Sequence, residues 1–306
     1  MFVVKHKKVF FAISVILVLA SLGSIFTLGL NLGTDFTGGT VAEFGYRADK
    51  PVAGDLSADL STLALGNFSL QTLGNGDYLL KMKPLTEADR VAVTGVLARG
   101  ETANQNGQYA NLEIKRFNSV GPAIGSELKR KGMVAIVLAV IIMIAFMTLA
   151  FLGVSRPVAS WKYGVIAVVA LLHDIIISTG AYVWLGKIRG AEIDALFLTA
   201  ILTIVALSVN DTIVVFDRVR ENLKKKIAGT FEGTVGASID ETFVRSLITS
   251  LTVIFVLVVL YFFGSPTTKD FALVLAIGMF VGTYSSIFLA SPMLIFAKNL
   301  SEKGKK

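Results

Sequence analysis

The sequence has no cysteine and only two histidines among its 306 residues. Without cysteine there are no disulfide bonds and no thiolate metal sites, so any exported segment must fold on its apolar core alone. The histidines, His6 and His173, lie far apart in the chain, which argues against a histidine metal centre. A Gly-x-Ser-x-Gly nucleophile motif is also absent. We therefore predict no metal, no organic cofactor and no enzymatic activity.

Charged residues are scarce as well: they make up 17% of the chain, whereas 54% of it is hydrophobic. This composition excludes an ordinary soluble domain and is typical of an integral membrane protein. An apolar stretch of about 20 residues is long enough to cross the hydrocarbon core as a helix. Six stretches meet this criterion, at residues 9–30, 132–154, 163–186, 195–216, 243–263 and 271–297.

The basic residues lie mainly on one side of these six predicted spans. They precede the first span, separate the second from the third, follow the fourth and form the tail, residues 298–306. Because Lys and Arg near span ends tend to remain in the cytoplasm, we expect both termini to be cytoplasmic and residues 31–131 to lie outside. The net charge of +7 then reflects this topology and contact with anionic lipids. Basic faces interleaved with aromatic residues are missing, so we predict no nucleic-acid binding.

Residues 31–131 are polar enough to form a folded extramembrane domain between the first span, within residues 1–30, and the five-helix region 132–297. Thr86 and Asp89 are spaced as an acidic variant of a capping box, which predicts a helix running to about Arg99. The turn Gly74-Asn75-Gly76-Asp77 predicts a hairpin. The remaining pattern gives strands at residues 40–46, 68–73, 78–82 and 109–117 and a first helix at 56–65. This β-α-β-β-α-β order is typical of a ferredoxin-like α+β domain, suited to contact with an exported polymer or to a passive spacer role.

Asp211 lies near the end of the fourth span, where an ionised carboxylate needs a partner, a water-filled cavity or a proton. Arg245, at the start of the fifth span, either extends to the lipid headgroups or pairs with Asp211 across a helix interface, which would make a movable proton switch. His173 and Asp174, in the third span, either pass protons or form a hydrogen-bonded pair that fixes helix packing. Adjacent helix positions point about 100° apart, so we do not expect these two side chains to share one face.

Three further segments have simpler interpretations. Residues 217–242 form a basic loop whose amphipathic spacing predicts a surface helix on the lipid headgroups. Gly33 to Gly39 resembles a phosphate loop but lacks the following Gly-Lys-Ser/Thr, so we do not expect nucleotide binding there. The stripe Gly278-x-x-x-Gly282, followed by Tyr284-Ser285-Ser286, indicates helix packing rather than ligand binding.

Five segments together resemble the SecF family of bacterial protein-export subunits, which is related to the RND transporters. They follow each other in the expected order on the predicted spans and cover nearly the whole chain. The segments are Gly33-Thr34-Asp35-Phe36-Thr37-Gly38-Gly39, Leu172-His173-Asp174, Ser208-Val209-Asn210-Asp211-Thr212-Ile213-Val214-Val215-Phe216-Asp217-Arg218, Arg245-Ser246-Leu247-Ile248-Thr249-Ser250-Leu251-Thr252 and Gly282-Thr283-Tyr284-Ser285-Ser286-Ile287-Phe288-Leu289-Ala290-Ser291-Pro292.

The resemblance implies an all-α, RND-like half of six transmembrane helices with one ferredoxin-like periplasmic domain, in the bacterial inner membrane. It implies pairing with SecD, association with the SecYEG channel and, as a further candidate, YajC. The proton motive force would draw the translocating polypeptide outward after SecA has pushed it, with Na⁺ left open as the coupling ion. The residues assigned are Asp211, Arg245, Asp174 and His173 for the relay, Asn210, Thr212, Thr249 and Ser250 for support, and Asp35, Gly38 and Gly39 for the periplasmic base motif.

Two other functions remain open from the sequence. The first is an RND-type exporter of small molecules or lipids, although such proteins normally carry twice as many spans and two large loops. The second is a scaffold, in which the buried polar residues only orient helices and no proton moves. Recovery of a SecD-like partner argues against the exporter, and a proton flux that depends on Asp211 argues against the scaffold.

Overall fold

The computed structural model describes residues 2–63, 65–73, 76–104, 108–150 and 158–303. The chain divides into two compact units: a membrane unit, Met1–Asn31 with Met133–Lys306, and an extramembrane unit, Leu32–Gly132. Three predicted features lie partly outside the described residues: Gly74 and Asn75 of the hairpin turn, the end of the second span at residue 154, and residues 304–306 of the tail.

Helices and strands alternate only in the extramembrane unit. The strands are β1 (Gly39–Tyr46), β2 (Phe68–Thr72), β3 (Tyr78–Met82) and β4 (Leu112–Val120). The helices are α1 (Phe2–Lys5), α2 (Lys7–Leu28), α3 (Thr34–Thr37), α4 (Ala53–Ser61), α5 (Glu87–Leu97), α6 (Pro122–Ala150), α7 (Ser160–Arg189), α8 (Ala195–Lys225), α9 (Phe231–Phe263), α10 (Pro266–Tyr284) and α11 (Ser291–Lys303). A π-helix, Ser285–Ala290, joins the last two.

Six helices in the described part of the chain are long and apolar enough to cross a membrane, in agreement with the six predicted spans. The buried centre of the unit is formed mainly by α7, α8 and the α10 to α11 helix, whereas α2, α6 and α9 expose most of their apolar side chains. Fully buried side chains such as Tyr163, Leu171 and Phe216 fill the space between the central helices. Polar residues that the sequence places in these helices are therefore held inside a packed bundle.

The prediction of a surface helix in a long basic loop, residues 217–242, is wrong. Helix α8 continues without interruption to Lys225, and α9 already begins at Phe231, with the side chain of Thr230 accepting a hydrogen bond from Gly233 N. The reason is that residues 217–226 contain neither glycine nor proline, so nothing in them ends the helix. The connection is short, and the buried face of this extension packs against α9.

The extramembrane unit has the predicted β-α-β-β-α-β order. Its four strands form one antiparallel sheet in the order β2-β3-β1-β4, which is the ferredoxin-like arrangement. Side chains from the sheet and from α4 and α5 share one core, which includes Phe44, Leu56, Leu80 and Leu97. The predicted capping box is also present: Thr86 and Asp89 hydrogen-bond each other's backbone N–H groups. The Thr86 hydroxyl, and then its backbone N–H, donate to the Asp89 carboxylate and so lower its pKa.

Candidate functional site

A fully buried carboxylate, Asp174, lies at the centre of the helix bundle. Ser208 Oγ on α8 donates to its Oδ2 at 2.5 Å, and Ser285 Oγ in the π-helix donates to the same oxygen at 2.8 Å. His173 Nδ1 lies 2.9 Å from Oδ1. Three elements of the bundle therefore meet at this carboxylate, which forms what we call the Asp174 site.

His173 and Asp174 form the hydrogen-bonded pair that the sequence left open. Although adjacent positions diverge by about 100° around a helix, the imidazole ring reaches sideways far enough for its Nδ1 to contact the neighbouring carboxylate. The His173 ring also stacks on Tyr284, whose hydroxyl donates to the backbone oxygen of Phe10 at 2.9 Å. These contacts tie α2 and α10 to the Asp174 site. His173 Nε2 is buried and has no hydrogen-bond partner among the described residues.

A second carboxylate, Asp211, is 7% exposed and has a different environment. Ser250 Oγ on α9 donates to its Oδ2 at 3.3 Å, and Thr283 Oγ1 on α10 donates in turn to Ser250 Oγ at 2.5 Å. We call this hydroxyl chain with its carboxylate the Asp211 site. It joins α8, α9 and α10 through hydroxyl groups alone, without a cation in contact among the described residues.

Arg245 is exposed and forms no ion pair with Asp211 in this conformation. It precedes Ser250 by five residues, so its side chain is rotated by about 140° from Ser250 around α9 at 100° per residue. Ser250 faces the carboxylate, whereas Arg245 leaves a different part of the α9 surface, is exposed and does not contact Asp211. The paired arrangement considered from the sequence is therefore not the one observed.

The four residues predicted to support the relay are divided between two environments. Ser250 contacts Asp211, and Thr212 is buried, with its Oγ1 3.1 Å from Ser286 Oγ. Asn210 is exposed, and no hydrogen bond joins it to the site within the described chain. Thr249 is also exposed, and its hydroxyl donates to the backbone oxygen of Arg245 at 2.9 Å. Both lie one position away from a buried residue and so point to another face of the helix.

The sequence analysis assigned Ser250 to the site but missed three other hydroxyl groups near the carboxylates. Ser208, Thr283 and Ser285 bond to Asp174 or to the Asp211 chain, yet Ser285 and Ser286 were interpreted as packing residues. Ser285 and Ser286 lie in a π-helix, and such wide turns are frequent at functional sites, but this feature is visible only in the folded structure. A serine in a small-residue stripe can do both things at once, because it is small enough to pack between helices and also donates a hydrogen bond.

The glycine stripe itself packs as predicted. A Cβ atom on Gly278 would lie 2.1 Å from Ile204 Cδ1, and one on Gly282 would lie 3.0 Å from Ser208 Cβ. Both contacts are with α8, so the absence of side chains lets α10 approach α8 closely. That approach is what brings Ser285 within hydrogen-bonding distance of Asp174.

The third predicted group, Asp35, Gly38 and Gly39, lies in the extramembrane unit around the one-turn helix α3. Gly38 has a φ of +79°, and a Cβ atom there would lie 2.9 Å from Pro122 Cα. On Gly39, a Cβ would lie 2.9 Å from the backbone oxygen of Met82. Glycine is therefore required for conformation and space at Gly38 and for space at Gly39, where the chain enters β1 beside the first turn of α6. Asp35, half-buried in α3, belongs to the same turn.

No cluster of three or more His, Cys, Asp or Glu side chains suited to a metal ion occurs among the residues described. Taken together, fold and site define a multi-pass membrane protein with buried carboxylates at the centre of its helix bundle and one α+β domain inserted after the first span.

Comparison with known proteins gives the family. The model of the protein export membrane protein SecD/SecF C-terminal region matches residues 101–300, and that of the SecD/SecF GG motif matches residues 23–50. The chain belongs to the SecD/SecF family. It is 38% identical to the protein translocase subunit SecF of Thermobaculum terrenum, over 97% of this chain and 94% of that protein. For SecF of Desulfurispirillum indicum the identity is 36%, over 93% and 88%.

Solved structures agree with this assignment. The crystal structure of SecDF from Thermus thermophilus, a translocon-associated membrane protein, matches with a TM-score of 0.77 and 30% identity. A SecDF structure in a super-membrane-facing form matches with a TM-score of 0.67 and 29% identity. The match covers 97% of this chain but 38% of the Thermus chain, so this chain corresponds to a part of that protein. The predicted family and fold are thus confirmed, while the roles assigned to individual residues stay predictions.

Proposed function

We propose that this protein is an accessory subunit of the Sec protein-export translocase that works with a SecD-type partner. In this role it uses the proton motive force to promote late steps of polypeptide translocation across the bacterial cytoplasmic membrane. The work is mechanical, and no covalent bond is made or broken. The names of its relatives, protein translocase subunit SecF and translocon-associated SecDF, support the assignment.

The observation that carries the coupling mechanism is the environment of Asp211. Its carboxylate lies inside the bundle and is held by Ser250 and Thr283, both of them neutral hydroxyl groups. A carboxylate held in this way gains or loses a proton without first breaking an ion pair. Because a hydroxyl group both donates and accepts, the same contacts are compatible with either protonation state. Arg245 is close enough to act electrostatically and approaches Asp211 when it is ionised.

The energy available is sufficient for a conformational change. Moving one elementary charge through the membrane potential yields about 2.3 kcal/mol per 100 mV. Such an energy biases an equilibrium between two conformations by a factor of tens. Asp211 is bound to helices α9 and α10 through its hydroxyl chain, so a change in its charge alters the packing of all three helices.

The partners and the topology follow from the same proposal. SecD supplies the second half of the transmembrane set, the SecYEG channel delivers the translocating polypeptide, and YajC is a further candidate in the assembly. Both termini lie in the cytoplasm, and the extramembrane unit lies on the periplasmic side, where it contacts the emerging chain. Membrane lipids surround the exposed faces of α2, α6 and α9.

Proton flux into vesicles that contain this subunit and its SecD partner tests the proposal directly. We expect Asp211→Asn to abolish the flux and the potential-dependent part of export while the two subunits still purify together. The matched control is Asp217→Asn, a change of the same chemistry on the same helix at a side chain that is 68% exposed. It should leave both readouts at the wild-type level. Unchanged flux in Asp211→Asn would instead favour the scaffold.

The coupling ion is tested separately because hydroxyl and carboxylate oxygens also suit Na⁺. With protons as the coupling ion, a protonophore should stop the stimulation of export even when a Na⁺ gradient is present. Stimulation that follows the Na⁺ gradient and survives the protonophore would assign the Asp211 site to Na⁺.

A further inference from the structure

Helices α8 and α9 touch through polar side chains at a second place, next to the turn that joins them. Asn222 on α8 is only 2% exposed, and its Nδ2 donates to Ser238 Oγ at 3.0 Å and to Glu241 Oε2 at 2.9 Å. Arg218 Nε donates to the same carboxylate oxygen of Glu241. A buried carboxamide with two such partners is costly to displace, because its N–H groups would be left unpaired.

This contact and the Asp211 site form two rungs between the same pair of antiparallel helices. Asn222 follows Asp211 by eleven residues on α8, and Ser238 precedes Ser250 by twelve residues on α9. At 1.5 Å per residue the two contacts lie about 17 Å apart along α8 and about 18 Å apart along α9, a difference of less than half a turn. The two rungs are thus matched in spacing.

A single rung lets two helices pivot about the contact. Two rungs about 17 Å apart along α8 also resist this pivoting, so together they hold the axial position of one helix relative to the other. Between them, Ser246 on α9 is buried, yet its Oγ has no partner among the described residues. Thr242 is buried too, but its hydroxyl bonds only within its own helix, to Ser238 O at 2.8 Å.

We propose that Asn222 is a positioning residue: it sets the axial position of α9 against α8 and thereby holds Ser250 Oγ on Asp211. Sliding α9 by a single turn, about 5.4 Å, would break both rungs together. Loss of Asn222 leaves this rung with only the ion pair between Arg218 and Glu241, whose side chains are 37% and 38% exposed and which is therefore weak. Helix α9 is then free to shift, and the hydrogen bond from Ser250 to Asp211 is lost as a result. The consequence for proton coupling rests on the proposed function, whereas the positional claim does not.

Infrared difference spectroscopy of the full chain with its SecD partner tests the positional claim. The carboxyl band of Asp211 is identified as the one that disappears in Asp211→Asn. Ser250→Ala removes the hydrogen bond directly and gives the reference shift of this band. We expect Asn222→Ala to shift the band in the same direction, and the double variant Asn222→Ala/Ser250→Ala to shift it no further than Ser250→Ala. A band that stays at the wild-type position in Asn222→Ala would overturn the proposal.

Two further variants keep the result interpretable. Thr242→Val removes a buried hydroxyl near the same rung, but it breaks no hydrogen bond between α8 and α9. The carboxyl band of Asp211 should therefore stay at its wild-type position. A shift in Thr242→Val as large as that in Asn222→Ala would show that general loosening is responsible, and would also overturn the proposal. Where Asn222→Ala does not fold, Ser238→Ala/Glu241→Ala breaks the same rung from α9 and must give the shift.

The proton-flux assay then separates this inference from the proposed function. A shifted band with normal flux in Asn222→Ala supports the positioning role and contradicts the function proposed for the Asp211 site. An unshifted band, with flux abolished only in Asp211→Asn, supports that function and removes Asn222 from it.

Discussion

Asp174 and Asp211 lie in the same bundle but have unequal sets of partners. Asp174 is fully buried and contacts two serine hydroxyls and an imidazole. Asp211 accepts a longer hydrogen bond, at 3.3 Å, from Ser250, and the side chains that reach it within the described chain carry only hydroxyl groups. A group that must change its charge during a cycle is better served by few, neutral partners, because each partner that prefers one state resists the change. We therefore expect Asp174→Asn to reduce export less than Asp211→Asn.

Arg245 gives a sharper prediction at the level of the single side chain. Its guanidinium is exposed and makes no hydrogen bond within the described residues, so Arg245→Ala should leave the unfolding stability of the subunit close to wild type. We nevertheless expect export and proton flux to fall about as far as in Asp211→Asn, because the proposed cycle requires the cation to approach the ionised carboxylate. The two measurements together are decisive: full export in Arg245→Ala would exclude this approach.

The close contact of α8 with α10 depends on two glycines one helical turn apart. In a membrane, helices associate through such close packing, since lipid removes the usual hydrophobic driving force. The contact also has a chemical consequence, because it carries Thr283 and Ser285 to the two carboxylates. The sequence pattern predicted the packing correctly, but it did not indicate that the following hydroxyls face the charged groups.

The variant Gly278→Ala tests this contact. The added Cβ would lie 2.1 Å from Ile204 Cδ1, so α10 must move away from α8, and overpacking of this kind costs about 1–3 kcal/mol. Thermal or denaturant unfolding in detergent should show the loss, and the additional change Ile204→Ala should recover part of it by removing the clashing atoms. Gly23→Ala is the control, because no atom lies within 4 Å of the Cβ position on Gly23. Equal losses in both glycine variants would contradict the packing argument.

Taken as one chain, the protein has a well-buried centre, while three of its spans leave their apolar faces largely uncovered. In the apolar 18-residue stretch of each span, 11% of the residues are buried in α2 and in α6, and 17% in α9. In α7, α8 and the last span the buried share is half or more. Such faces require lipid or the helices of another subunit. The match to 38% of a SecDF chain agrees with a molecule that is completed by a partner.

The orientation in the membrane is testable because the natural chain contains no cysteine. A single cysteine at Asp55, exposed in the extramembrane unit, should react with a membrane-impermeant maleimide in intact spheroplasts. One at Lys225, which is 61% exposed at the end of α8, should react only after the membrane is broken. The reverse pattern would contradict the orientation assigned from the basic residues.

The number and order of the elements could be read from the sequence by local physics alone. Hydropathy set the six spans, and alternation with turn residues gave the β-α-β-β-α-β domain, because both depend on residues close together in the chain. The cost of a charge in lipid likewise singled out Asp211. Only the tertiary structure decided that Ser250 and Thr283 hold it, that Arg245 is exposed and does not contact it, and that Asn222 bonds to α9. These contacts join distant segments, and they depend on the rotation and axial position of whole helices, which no local pattern encodes.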